Sequence, residues 1–369
     1  MNPELMERFL AKKAKKLGIT VEELKAQNAP SSVAEKSYEP LPAQPEKIEV
    51  PSYVFGPAKS EEVKPVETSV EINDNRENKF ALIGYPLGHS LSKVIHEAGF
   101  KSLGIDATYD ILETPPDELV DRIKYLKSNG YKGFNVTIPL KLPISLFVNE
   151  VDKYADLARA VNTVYIEPDK TLKAFNTDVI GFKRAIDFDL QGKKAAILGT
   201  GGAAHAACVA LTECGVKEIA FFTRNIPNSI ELMNYVRRKF PSVDFNVYQI
   251  ENIRSLEEYS LLVNTTPIGM LGCAGDMSPV EVRTLETLKS DAVVYDVIYN
   301  PKKTILIKDA QKLGLKTITG LDMLIFQAVA AQEKWLNPHH SQENLTNIYA
   351  EGKKTPDWKD MKIAALEEL

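Results

Sequence analysis

The stretch Lys194-Ala195-Ala196-Ile197-Leu198-Gly199-Thr200-Gly201-Gly202-Ala203-Ala204 decides how this chain is read. An apolar run passes through G-x-G-x-x-A into a segment carrying Ala207, Val209, Ala210 and Leu211, the pattern of a strand feeding a helix. Gly199 permits the tight turn, Gly201 lets backbone N–H groups approach a pyrophosphate, and Ala204 lets the helix pack closely on its strand. Thr200, Gly202 and Ala203 complete that turn, and the helix N-terminus adds positive dipole. Glycine patterns alone are common, but here both flanks have the required character. The stretch reads as a dinucleotide site.

The next strand ends in Thr223-Arg224-Asn225. A site for NAD normally places Asp or Glu about 20 residues beyond the glycines to bond the ribose 2′-hydroxyl. Here a guanidinium stands instead, which can pair bidentately with a 2′-phosphate, and no carboxylate is present to repel it. NADP is favoured over NAD. Arg237 and Arg238 read as a solvated helix face.

Outward from this motif, strand patterns alternate with helical ones. Lys194–Leu198, Glu218–Phe222, Phe245–Ile250, Leu261–Asn264, Val293–Asp296 and Lys316–Ile318 form one set. Upstream, Phe80–Gly84, Thr108–Leu112 and Gly133–Val136 are separated by helical segments at 91–103 and 115–128, with Thr114 placed as a cap. Thr163–Ile166 and Leu172–Phe175 flank Glu-Pro-Asp-Lys and suggest a hairpin. The fold class is α/β, in two units built on mainly parallel sheets. Residues 1–78 differ: a short helical hairpin, with Thr20 and Glu23 as a capping box, precedes a Pro-, Glu-, Lys- and Ser-rich tether expected to be disordered.

Composition narrows the function. The 369 residues are 44% hydrophobic and 26% charged, with a net charge of −5, which argues against a dedicated nucleic-acid binder. No stretch approaches the roughly 20 apolar residues of a membrane span. Cys208, Cys214 and Cys273 form no CxxC pair, so a reduced, cytoplasmic setting and no metal site are expected. His339 and His340 read as exposed surface residues within an insertion at 337–354. The expected partner is a small molecule, bound by a monomer or homodimer.

The first α/β unit holds hydroxyls, amides, one ammonium and one carboxylate near strand ends: Ser90 and Ser92, Asn135, Thr137 and Lys141, Asn162 and Thr163, Asn176 and Asp178. Such a set suits a polyhydroxylated acid. Reducing a ketone by hydride needs a proton donor at the developing alkoxide, beside groups that hold the substrate.

From about Phe80 onward the chain resembles the shikimate dehydrogenase family in motif order and spacing. The segments that carry the resemblance are Gly84-Tyr-Pro-Leu-Gly-His89-Ser90-Leu-Ser92, Asn135-Val-Thr137-Ile-Pro-Leu-Lys141, Ala160-Val-Asn162-Thr163 and Asn176-Thr-Asp178. After the glycine turn come Asn264-Thr265-Thr266-Pro-Ile-Gly269-Met270, Tyr295-Asp-Val-Ile-Tyr299-Asn-Pro301 and Gly320-Leu-Asp-Met323-Leu-Ile-Phe-Gln327.

The resemblance implies reversible, NADP-dependent reduction of 3-dehydroshikimate to shikimate, a step towards aromatic amino acids. It implies that Ser90 and Ser92 bind the substrate carboxylate with Tyr299 nearby, and that Thr137, Asn162, Asp178 and Gln327 bond the ring hydroxyls. Lys141 and Asp178 correspond to the family's catalytic pair. Asn264, Thr265 and Gly320 approach the cofactor, with Met323 near its nicotinamide. The family fold implies an N-terminal substrate-binding domain over 79–180, completed by 322–369, and a Rossmann-type NADP-binding domain over 181–321. Two departures stand beside the serine loop: Lys93 replaces a usual proline, and Glu97 a frequent asparagine. Two alternatives compete, an NAD-dependent quinate/shikimate dehydrogenase and a catalytically silent metabolite-binding regulator. The intact Lys141 and Asp178 argue against the second.

Overall fold

The computed structural model describes residues 77–88, 90–338 and 355–369. The expected N-terminal hairpin and tether, His89, and the pair His339 and His340 lie outside the described residues.

The first sheet draws on β1 (Lys79–Gly84), β2 (Thr108–Glu113), β3 (Gly133–Val136), β4 (Glu150–Val151), β5 (Thr163–Ile166) and β6 (Leu172–Phe175), in the order β2-β1-β3-β5-β6-β4. Helices α1 (Ser92–Ser102) and α2 (Leu119–Ser128) make the crossovers between the parallel strands β1, β2 and β3. The strands β5 and β6 pair antiparallel around the expected turn, so this sheet is mixed. In that turn Asp169 Oδ1 accepts from Thr171 N at 2.8 Å, and Lys170 takes a positive φ of 72°. A short helix, α3 (Lys153–Ala158), lies between β4 and β5, and α4 (Thr177–Arg184) leaves the sheet after β6.

The second sheet is wholly parallel: β7 (Lys194–Leu198), β8 (Glu218–Thr223), β9 (Asp244–Gln249), β10 (Leu261–Asn264), β11 (Val293–Asp296) and β12 (Lys316–Ile318). Its order, β12-β11-β10-β7-β8-β9, reverses direction between β7 and β10. Helices α5 (Gly202–Glu213), α6 (Ile226–Lys239), α7 (Val282–Leu285) and α8 (Ile305–Lys312) connect the strands. Nearly every residue of β7, β8, β10 and β11 is buried, as continuous apolar strands covered on both faces must be. The register sets Leu198 beside Asn264, so the turns after β7 and β10 open into one crevice. Open α/β sheets bind ligands at such a switch point.

The long helix α9 (Gly320–Leu336) returns to the first sheet, where α10 (Trp358–Glu368) joins it: Met361 and Ala365 pack with Leu91, Ile95 and Ile325. At the crossing of α4 and α9 the backbones meet closely. A Cβ on Gly181 would lie 2.6 Å from the carbonyl oxygen of Met323 and 2.8 Å from the amide nitrogen of Gln327.

Two local expectations are corrected, and one element was not anticipated. Thr114 is not a cap: its hydroxyl donates to Leu112 O at 2.8 Å and accepts from Arg122 Nε at 3.0 Å, while Pro115 leads into a 3-10 turn. The strand β4 is only two residues long, too short for any periodicity to show. Arg237 is not simply solvated, because its guanidinium donates to Phe245 O at 3.1 Å and ties α6 to β9. The two departures at α1 answer one another. Lys93 Nζ lies 2.8 Å from Glu97 one turn on and donates to Tyr109 O at 3.0 Å, giving the helix start an ion pair where a proline was expected.

Candidate active site

The ends of β3, β5 and β6 converge, and their side chains assemble one polar frame. Asn176 follows β6 and caps α4, accepting from Val179 N at 3.2 Å. That cap orients the first turn of the helix, which carries Asp178. Lys141, on the loop after β3, reaches it: Nζ lies 2.5 Å from Asp178 Oδ2. The pair is largely sheltered, with side-chain exposures of 19% and 7%.

Asn162 supports the other carboxylate oxygen. Its Oδ1 accepts from Thr177 N at 2.7 Å, and only an oxygen can meet a backbone N–H there. The amide nitrogen must therefore face the other way, where it donates to Asp178 Oδ1 at 2.8 Å and to Gln327 Oε1 at 3.4 Å. Gln327 in turn donates to Leu324 O within α9 at 2.9 Å. Asp178 thus accepts a neutral hydrogen bond on one oxygen and an ammonium on the other.

Beneath this frame lies a layer built on a residue that the sequence reading did not single out. Tyr109, fully buried, donates to Asn135 Oδ1 at 2.7 Å, and Asn135 donates to Asn162 O at 3.2 Å and to Thr163 Oγ1 at 3.0 Å. A polar residue at a fully buried strand position was the signal available, since buried amides must be satisfied. His96 stacks on Tyr109 with ring centroids 4.4 Å apart, and burial pulls its imidazole down to about 3.

The serine loop borders the frame. Ser90 Oγ accepts from Ser92 N at 3.2 Å, which starts α1, and both serines are half-buried. Thr137, also half-buried, is held by its backbone N–H to Ile83 O at 2.9 Å. Tyr299 packs against the cluster of Leu91, Ile95 and Leu321, and burial raises its phenol.

Next to this frame, where Gly202 lies against the Lys141 stem, the glycine turn fits a dinucleotide. Gly199 has φ +105°, which strongly favours glycine, and Gly201 is exposed with open space where a side chain would stand. Thr200 and Ala203 share the half-open mouth of α5. Arg224 and Asn225 are exposed at the end of β8. Thr223 is buried, and its hydroxyl accepts from Asn225 N at 2.9 Å, shaping the turn that presents Arg224.

Asn264 and Thr265 are placed beside the turn, but their side chains are engaged by the protein itself. Asn264 Nδ2 donates to Asp296 Oδ1 at 3.1 Å, and its Oδ1 accepts from Thr266 N at 3.0 Å. Thr265 Oγ1 donates to Leu198 O at 2.6 Å. Asp296, given no role by the sequence reading, organises this loop. It accepts from Asn264, Ile298 N and Thr304, and burial pushes its carboxyl up to about 6 against those three donors. Gly320 N donates to Ile298 O at 3.1 Å, and Met323 is buried in the core under the second sheet.

Comparison with known proteins identifies the family. Residues 82–164 match the family described as the shikimate dehydrogenase substrate binding domain. The chain is 38% identical over 265 residues to the shikimate dehydrogenase (NADP(+)) of Caldanaerobacter subterraneus subsp. tengcongensis, covering 71% of this chain and 92% of that protein. A crystal structure of a shikimate dehydrogenase in complex with NADP+ superposes with a TM-score of 0.67 at 33% identity, covering 79% of this chain and 96% of that one. The shikimate 5-dehydrogenase of Thermus thermophilus, solved with NADP(H) and shikimate, gives 0.64 at 30% identity, with coverages of 79% and 99%. At this identity and coverage the chain belongs to the shikimate dehydrogenase family.

Proposed function

We propose that this chain catalyses the reversible, NADP-dependent reduction of 3-dehydroshikimate to shikimate. The observation that carries the reading is the Lys141–Asp178 pair, 2.5 Å apart and sheltered, beside a glycine turn fit for a dinucleotide. Relatives over 92% of their length bear the name shikimate dehydrogenase (NADP(+)), which supports the substrate and the cofactor.

NADP, when bound, supplies or accepts the hydride. Gly199, Thr200, Gly201, Gly202 and Ala203 would hold its pyrophosphate through backbone N–H groups and the dipole of α5. Arg224 would pair with its 2′-phosphate, while Asn264, Thr265, Gly320 and Met323 border its reactive end. The chain's own groups do the remaining work. Ser90, Ser92 and Tyr299 hold the substrate carboxylate, and Thr137, Asn162, Asp178 and Gln327 grip the ring hydroxyls. Lys141 donates a hydrogen bond to the reacting oxygen, stabilises its developing negative charge, and passes or receives the proton. Asp178 fixes the ammonium and accepts from the hydroxyl.

In domain terms, residues 79–180 with 322–369 bind the substrate and 181–321 the cofactor. Cys208, Cys214 and Cys273 are all free thiols, which suits a reducing cytoplasm. An NAD-dependent quinate activity finds less support, because exposed Arg224 stands where an NAD site would have a carboxylate. The deciding measurement is NADPH oxidation with 3-dehydroshikimate, with quinate plus NAD+ as the competing assay. Turnover confined to the second pair would overturn the assignment.

A further inference from the structure

Lys141 is anchored at two points besides Asp178, and both lead to the same helix. Its side-chain stem lies against Gly202 at the N-terminus of α5, where an added Cβ would come 3.1 Å from Lys141 Cδ and 3.3 Å from its Cβ. Its carbonyl accepts from Val161 N at 2.8 Å. Val161 belongs to the short run from α3 to Asn162, and that run is itself fixed: Asn176 Nδ2 donates to Ala160 O at 2.8 Å.

Although α3 lies between two strands of the first sheet in the chain, it docks on the second. Leu157 and Ala158 are buried in the same core as Ala207, Val209 and Leu211 of α5. Two of its side chains reach the C-terminal end of that helix. Glu213 accepts from Lys153 Nζ at 2.5 Å, from the Tyr154 hydroxyl at 2.7 Å, and from Lys183 Nζ of α4 at 2.8 Å. Glu213 is 11% exposed, and its three donors hold its carboxyl below the usual range against the opposing effect of burial. Along the same strap, His205 Nδ1 of α5 lies 2.7 Å from Ala158 O, and Asp156 accepts from the Tyr235 hydroxyl of α6 at 2.6 Å.

We infer that α5 is the positioning element for Lys141, and that Glu213 is the positioning residue at its far end. The twelve-residue helix spans about 18 Å at 1.5 Å per residue. Its first residue limits where the lysine stem can lie. Its last seats α3, which through Val161 fixes the lysine backbone. The helix whose N-terminus would receive the cofactor is therefore also the ruler that sets where the ammonium stands. The inference rests on the role given to Lys141 above.

The test is Glu213→Gln in the full chain, with Lys141→Ala in parallel and each rate normalised to NADPH-binding sites titrated by fluorescence. That normalisation removes any loss of folded protein. A small misplacement of a catalytic group can cost up to about 10²-fold. The expected result is a fall in kcat per binding site of about tenfold, with NADPH affinity and KM for NADPH unchanged within about twofold. A merely structural glutamate would lower the number of sites and leave kcat per site intact, which would overturn the inference. If Glu213→Gln does not fold, Tyr154→Phe removes one donor without burying a new polar atom. It should lower kcat per site about threefold by the same route, and wild-type kcat per site there is equally decisive. Wild-type kcat in Lys141→Ala would remove the Lys141 role and this inference with it. Loss in Lys141→Ala beside wild-type kcat in Glu213→Gln would remove the inference alone.

Discussion

At the scale of single residues, the site works by dividing one carboxylate between two donors. Asp178 gives Oδ2 to Lys141 and Oδ1 to Asn162, and the Asn162 amide cannot flip, because Thr177 N–H demands its oxygen. Removing the ammonium with Lys141→Ala deletes the donor facing the reacting oxygen. Loss of one such donor typically costs about 10²–10³-fold in kcat, and KM for shikimate should move much less, a split that steady-state kinetics reads directly. Asn162→Asp asks a sharper question with almost no change in shape. Its oxygen still meets Thr177 N, but a second carboxylate oxygen now stands where 2.8 Å separated Nδ2 from Asp178 Oδ1. Two carboxylates in contact favour protonation of one of them. The variant should therefore be impaired at pH 8 by about tenfold or more and recover relative to wild type as the pH falls toward 6. A pH-independent ratio of the two rates would count against the orientation of the Asn162 amide.

Among the elements, the crossing of α4 and α9 carries a strict steric demand. Because the atoms nearest a Cβ on Gly181 are backbone, at 2.6 Å and 2.8 Å, neither helix can yield by changing a rotamer. Gly181→Ala gains helix propensity on paper, yet it should destabilise the protein by about 1–3 kcal/mol through overpacking, read as a lower urea midpoint at unchanged m-value. Most elements were legible beforehand. The strands Gly133–Val136, Thr163–Ile166, Lys194–Leu198 and Leu261–Asn264 fall where apolar runs bounded by turn residues placed them. What escaped was whatever depends on partners distant in the chain. Nothing in Lys153–Ala158 announces that it docks on the second sheet, since its partners Glu213 and Tyr235 lie 60 and 79 residues away. The site shows the same division. Lys141, Asp178, Asn162 and Gln327 were found by motif and do meet in space, whereas Tyr109 and Asp296 act only through contacts that folding creates.

For the whole molecule, buried titratable groups of opposite sign set how stability responds to pH. Burial lowers His96 from the ordinary 6.5 to about 3, so the folded protein excludes a proton that the unfolded chain takes up. Its contribution is complete above pH 6.5 and is lost as the pH falls toward 3. His205, also lowered by burial, acts in the same direction. Asp296 acts in the other. With its carboxyl raised from 3.8 to about 6, it contributes stability below pH 3.8 that is lost as the pH rises through 6. Each group imposes a slope of about 1.4 kcal/mol per pH unit in its window. Between about pH 4 and 6 the slopes of His96 and Asp296 cancel, which neither residue reveals alone. His96→Phe keeps a ring to stack on Tyr109 and removes the titrating nitrogen, so over that window its urea midpoint should rise with falling pH relative to wild type. In Asp296→Asn the amide keeps its oxygen toward Ile298 N–H and Asn264 and turns its N–H₂ toward the Thr304 hydroxyl, which must switch from donor to acceptor, so overall stability drops modestly. Its midpoint should nonetheless fall more steeply than that of wild type on acidification from about 6 to 4. Parallel curves for wild type and both variants across that range would mean that neither group titrates differently in the folded and unfolded chains. Opposed deviations would identify the aromatic layer under the first sheet and the loop clamp of the second as counterweights in one pH response.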